Sequence, residues 1–233
     1  MAGASLLIGA LIGIYAGASK RVIAAVMALG AGVLVSSVAF ELMDEAYKVG
    51  GFDAASFGLL AGALVFFVAD REVNRRGGKH RKNSGEKQQG GSATAIAIGA
   101  LMDGIPESAA IGISLLGGGK ISAALVAAVF LSNVPEGLSS ASGMKRAGRS
   151  TTHIMVLWGG VTVISAVAAL LGYLFLDGAP ANIIAGIQAF AAGAILTMLA
   201  STMMPEAFEE GGEVVGLITT VGFLLAFILS HLE

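Results

Sequence analysis

Apolar runs near the ~20 residues needed to cross a hydrocarbon core follow one another along almost the whole chain. They lie at 2–19, 22–47, 53–70, 92–116, 121–143, 151–176, 181–208 and 214–232. Short turns such as Gly117-Gly118-Gly119-Lys120 and Asp177-Gly178-Ala179-Pro180 join most of them. The pattern predicts an all-α membrane protein of eight transmembrane helices in a single transmembrane domain. The first run has no basic residues before it, and Lys20 and Arg21 follow it, so it reads as a helix starting outside rather than a cleaved leader.

Composition agrees with that solvent. The 233 residues are 55% hydrophobic and 13% charged, against about 25% charged in soluble domains, and mean hydropathy is +0.82. The 34 glycines suit helices that pack closely in lipid. With no cysteine, disulfides, iron–sulfur clusters and thiolate zinc sites are excluded.

Charge is sorted along the chain. One linker, REVNRRGGKHRKNSGEKQQGG at 71–91, is polar and basic and reads as a solvated cytoplasmic loop that sets topology. Lys20, Arg21, the seven basic residues between 71 and 87, and Lys145, Arg146 and Arg149 fall on one side of an alternating path; Lys48 and Lys120 fall on the other. The positive-inside bias then puts both termini outside. All basic residues sit in loops or at span ends, so none is expected at midplane depth.

Residues 21–51 align without gaps on 182–212 at an offset of 161. AGVLVSSVAFELMDEAYKVGG lies over AGAILTMLASTMMPEAFEEGG, with Met43 over Met204, Glu45 over Glu206, Ala46 over Ala207 and both terminal glycines matched. Span 2 thus maps onto span 7, five spans later, so the copies cross in opposite directions. Inverted repeats of this kind mark secondary transporters with a site near the midplane.

Two segments break the apolar pattern: LMDGIPESAAIGISLL at 101–116 and LSNVPEGLSSASGM at 131–144. Pro106 frees the carbonyl of Met102 and Pro135 that of Leu131, because proline donates no hydrogen bond. Asp103 and Glu107 share a helix face at i,i+4, as do Ser132 and Glu136, and Asn133 reaches the same side. A buried carboxylate at this depth is costly and functional by default. Either protonation or a bound cation must neutralise it.

Paired Pro-Glu helices in spans 4 and 5, Pro205-Glu206, the basic loop after span 3 and the eight-helix layout resemble the Zrt/Irt-like (ZIP) divalent-metal transporters, of prokaryotic type. That resemblance implies a 3+2+3 inverted-repeat fold in the plasma (inner) membrane and import of zinc, iron(II), manganese or a similar ion into the cytosol. It implies Asp103, Glu107 and Glu136 as metal ligands, with Asn133 and Ser132 as weaker partners. Gly104 stands where the family has a helix-4 Asn, and no acid lies between Trp158 and Phe175, so one principal site is expected. No histidine falls within a span core, and an all-oxygen site leans from zinc towards iron(II), manganese or cobalt.

Glu45, Asp44 and Glu41 would line the outer entrance and Glu206 the inner exit. Met43, Met102, Met203 and Met204 read as packing. The metal ion is transported substrate rather than cofactor; lipid is the other partner, a homodimer is compatible, and no nucleic acid is expected. A proton- or organic-cation carrier of the same fold is the alternative. No Ser/His pair, His-Glu-x-x-His or Gly-x-Gly-Asp element occurs in the spans, so no enzyme is expected.

Overall fold

The computed structural model describes residues 2–16, 18–79, 81, 93–116 and 123–232, and among them there are helices and turns but no strands. In chain order these are α1 (Ala2–Tyr15), α2 (Lys20–Ser37), a π-helical segment (Val38–Met43) and α3 (Asp44–Val73). A second π-helical segment (Asn74–Gly78) extends α3, and α4 (Ala93–Ile113), α5 (Ala123–Arg146) and α6 (Thr151–Leu176) follow. The chain continues through α7 (Ala181–Met198), a third π-helical segment (Leu199–Met203), α8 (Met204–Gly211) and α9 (Val214–Leu232).

Five stretches among the described residues are long and apolar enough to cross a membrane: Lys20–Gly78, Ala95–Ile113, Thr151–Leu176, Ala181–Gly211 and Val214–Leu232. Ala4–Tyr15 is a shorter apolar helix. This is the build of a multi-pass membrane protein. The first stretch has 59 residues, and as one rod it would reach roughly 90 Å, about three hydrocarbon thicknesses. It is broken at Gly51, which has φ 75° and ψ −176°, a conformation open to glycine because it lacks a Cβ.

α5 carries a run of polar residues along an otherwise apolar helix. Ser132, Asn133, Glu136, Ser139, Ser140 and Ser142 are all buried. From Ser132 to Met144 every residue except half-buried Val134 is shielded, because α1, α2, α4, α6 and α9 pack around this helix. Polar groups at membrane depth are tolerated when they face protein rather than lipid. The linker also begins later than 71, since helix runs on to Gly78. His80 and residues 82–91 lie outside the described residues.

The 161-residue offset appears in the backbone as well as in the letters. α2 and α7 begin at Lys20 and Ala181 and end at Ser37 and Met198. π-helical geometry starts at Val38 in one copy and Leu199 in the other. Positive-φ glycines close both, Gly51 at 75° and Gly212 at 70°. Pro205 does not cause the second π segment, because the first copy has Asp44 at the equivalent place and forms the same turn.

Each copy packs reciprocally against the helix that follows the other. A Cβ on Gly32 of α2 would collide with the Thr219 carbonyl of α9, and one on Gly193 of α7 with the Leu59 carbonyl of α3. Conversely, a Cβ on Gly222 of α9 would strike the Leu29 carbonyl, and one on Gly62 of α3 the Phe190 carbonyl. Residues 29 and 190, like 32 and 193, are 161 apart. Backbone-to-backbone approach of this kind is how small residues drive helix association in lipid. Gly193→Leu should therefore lower the thermal midpoint of the detergent-solubilised protein, by about 1–3 kcal/mol of overpacking. Gly159→Leu, at a glycine whose Cβ would meet nothing within 4 Å, should leave the midpoint unchanged in the same melt.

Candidate cation site

α4 and α5 bring the Pro-Glu segments into contact. Asp103, Glu107, Ser132, Asn133 and Glu136 are all buried, and Glu107 is wholly inaccessible. The Ser132 hydroxyl lies 3.5 Å from the Glu107 carboxylate of the neighbouring helix and 3.0 Å from the Val129 carbonyl of its own. Ser132 therefore links the two Pro-Glu turns: one helical step along α4 leads from Asp103 to Glu107, and one along α5 from Ser132 to Glu136. The Leu131 carbonyl, which Pro135 deprives of its helical donor, faces α2, where a Cβ at Gly30 would stand 2.7 Å from its oxygen.

The expectation that no basic residue reaches this depth is overturned. Arg81, from the basic linker, is only 3% exposed. Its Nη1 lies 2.9 Å from Asp70 Oδ1 and its Nη2 3.5 Å from Asp103 Oδ1. Asn74 completes the grip, accepting from Nη1 at 3.5 Å and donating to Asp70 Oδ2 at 2.8 Å. The chain turns back here because Gly77 has φ 93° inside the π-helical segment, and the Arg81 amide then donates to the Gly78 carbonyl at 3.1 Å.

Gly99, one turn before Asp103 on α4, makes room for the arginine. A Cβ there would collide with Arg81 Cδ and stand 2.5 Å from Nε. The guanidinium thus lies beside residues 99–103, roughly 9–15 Å along α4 from its first residue at 1.5 Å per residue. Burial opposes its charge, but Asp103, Asp70 and more distant Glu136 outweigh that and hold its pKa above the ordinary arginine value.

Arg81, Asp70, Asn74 and Gly99 were invisible as a group in the sequence. The arginine is one of seven basic residues in a polar linker, and Asp70 ends a span where a solvated acid is ordinary. The available signal was a glycine one turn before a buried acid, which leaves a channel on that face.

The other acids are distributed differently. Glu41, Asp44 and Glu45 line one cavity of about 430 Å³ together with Lys48, Ser114 and Gln188. Asp44 pairs with Lys48 at 2.6 Å on the exposed helix, and Gln188 donates to the Glu41 carbonyl at 3.3 Å. Glu206 is half-buried on α8 and does not line this cavity. His153 and His231 are exposed. Met203 lies in the main apolar core and Met43, Met102 and Met204 pack against it.

In this conformation no group of three or more His, Cys, Asp or Glu side chains among the described residues stands in metal-holding geometry. What the structure offers is a string of oxygen donors across three helices with, among the described residues, four buried carboxylates, Asp70, Asp103, Glu107 and Glu136, against one buried guanidinium. Such a string attracts cations.

No protein-family model matches the chain. The chain is 27% identical over 188 residues to a protein of Arabidopsis thaliana that carries the provisional name of a zinc transporter. The match covers 78% of this chain and spans 29% of the length of that relative.

Removing one partner of a buried pair leaves the other charge exposed to the low dielectric, a loss of about 3–5 kcal/mol. Asp70→Ala should accordingly lower the thermal midpoint sharply. Asp70→Asn, which can still accept from Arg81, should fall between that variant and wild type in a fluorescence-monitored melt.

Proposed function

We propose that this chain carries divalent metal cations across a membrane, through oxygen ligands on α4 and α5. Asp103, Glu107 and Glu136 hold the ion, with Ser132 and Asn133 as neutral partners. The observation that carries this reading is the gathering of three buried carboxylates, Asp103, Glu107 and Glu136, on two adjacent proline-containing helices, α4 and α5. A divalent ion is the natural counter-charge, and oxygen ligands suit it. Similarity to a protein named as a zinc transporter supports metal as the cargo.

The remaining parts of the reading belong with it. The spans number eight, arranged 3+2+3 as an inverted repeat of the ZIP type, with both termini outside the plasma (inner) membrane and transport directed into the cytosol. The reciprocal glycine contacts and the recurrence of helix, π turn and positive-φ glycine at the 161 offset support a two-fold arrangement. The cavity around Glu41, Asp44 and Glu45 would receive the ion at one mouth, and Glu206 would stand on the path to the other.

Uptake of manganese(II) or zinc(II) into proteoliposomes tests the reading. Wild type should accumulate metal, and either Glu107→Gln or Glu136→Gln should reduce the rate by at least about tenfold, since a lost first ligand typically costs that much or more. Both variants should still insert, because neutralising a buried acid removes a desolvation cost. Full uptake by both would remove these residues from the mechanism.

Selectivity gives a second test. Asp103 puts a charged oxygen where the resembling family places an imidazole, which favours harder ions. Asp103→His should raise zinc uptake relative to manganese, measured by competition in the same liposomes. An unchanged ratio would mean that Asp103 does not touch the ion.

A further inference from the structure

Arg81 and the proposed cargo require the same place. The arginine ends 3.5 Å from an oxygen of Asp103, while a divalent ion held by that carboxylate needs oxygen at about 2.0–2.6 Å. Two cations that close, in a site shielded from water, repel strongly. A lysine could surrender its proton and remain, but a guanidinium stays charged at any physiological pH. It must therefore move if metal is to sit on Asp103.

We propose, resting on the transport reading above, that Arg81 is a tethered counter-cation: its guanidinium fills the Asp103 end of the carboxylate string in the unloaded protein, and a divalent ion loads by displacing it. The fold is arranged for such an exchange. The firm contact, at 2.9 Å, is to Asp70 of α3, and the looser one, at 3.5 Å, is to Asp103. Asn74 adds a contact on the Asp70 side. The arginine can release Asp103 while its anchor holds.

Gly99 is the second half of the device. The Arg81 stem rests in the space that a side chain at position 99 would occupy. Gly104, by comparison, has the Ser165 hydroxyl as the nearest atom to a built Cβ, at 2.9 Å, and does not bear on Arg81.

The inference also has a direction that a structural bridge lacks. If Arg81 competes with metal, removing it tightens metal binding; if it merely orients Asp103 from behind, removing it weakens binding.

Manganese(II) binding to the purified full chain in nanodiscs, read from the free-ion electron paramagnetic resonance signal, separates the two. Arg81→Gln removes the competing charge, and Gly99→Ala pushes the arginine aside without altering any charge. Both should tighten the manganese Kd by roughly tenfold, the gain expected when a form populated about one time in ten becomes dominant. Arg81→Lys, which retains a cation but one that can surrender its proton, should fall between wild type and Arg81→Gln. Gly99→Ala keeps the test decisive if Arg81→Gln does not fold. An unchanged or weakened Kd in Gly99→Ala, with wild-type binding and uptake intact, overturns the tethered-cation inference alone. Wild-type protein that neither binds nor transports manganese or zinc overturns the transport reading, and this inference with it.

Discussion

A carboxylate withdrawn from water into an apolar bundle costs several kcal/mol unless something positive or hydrogen-bonding meets it. Among the described residues four of them lie buried, at Asp70, Asp103, Glu107 and Glu136, and much of the local architecture answers that constraint. α5 gives up hydropathy to present Ser132 to Glu107 and can do so because five other helices shield it. The linker folds back through Gly77 so that one arginine reaches two of the acids. α4 keeps a glycine at 99 to admit the arginine stem.

The prolines belong to the same account. Each removes one hydrogen bond from a helix that carries a buried acid, and in α5 the released Leu131 carbonyl lies against Gly30 of α2. Broken helices at membrane depth survive only where protein surrounds them. Close glycine-mediated contact of α5 with α1, at Gly9, Gly13 and Gly137, and of α4 with α6, at Gly112, supplies that enclosure, while α6 and α9 keep many apolar side chains facing outward. Those contacts are backbone against backbone, so they depend on shape rather than on any single strong interaction.

π-helical turns occur at matched places in the two copies, and such turns are frequent at functional sites. In the first copy the turn carries Glu41, which lines the acidic cavity, and in the second it carries Ser201, which borders a cavity with Asp70 and Asn74. The two π turns therefore meet different charges: carboxylates with Lys48 at one, Asp70 with Arg71 and Arg75 at the other. Equivalent backbones with unequal side chains give a two-fold scaffold with distinguishable ends.

Local and periodic features were legible in the sequence. Long apolar runs pointed to an all-helical chain, because span length is set by the solvent rather than by partners. The 161 offset was visible in the letters, and the i,i+4 spacing of Asp103 with Glu107 and of Ser132 with Glu136 followed from helix geometry alone. Burial of Ser132, Asn133 and Glu136 could be argued from their place in a span. Only the tertiary structure decided which helix covers which, that Lys20–Gly78 breaks at Gly51 rather than at the polar residues before it, and that a linker arginine enters the core. Such an entry depends on a turn at Gly77, an acid on α3 and a missing side chain on α4. Those three lie far enough apart along the chain that no local pattern couples them, and a long flexible cation carries no mark of where its charged end will come to rest.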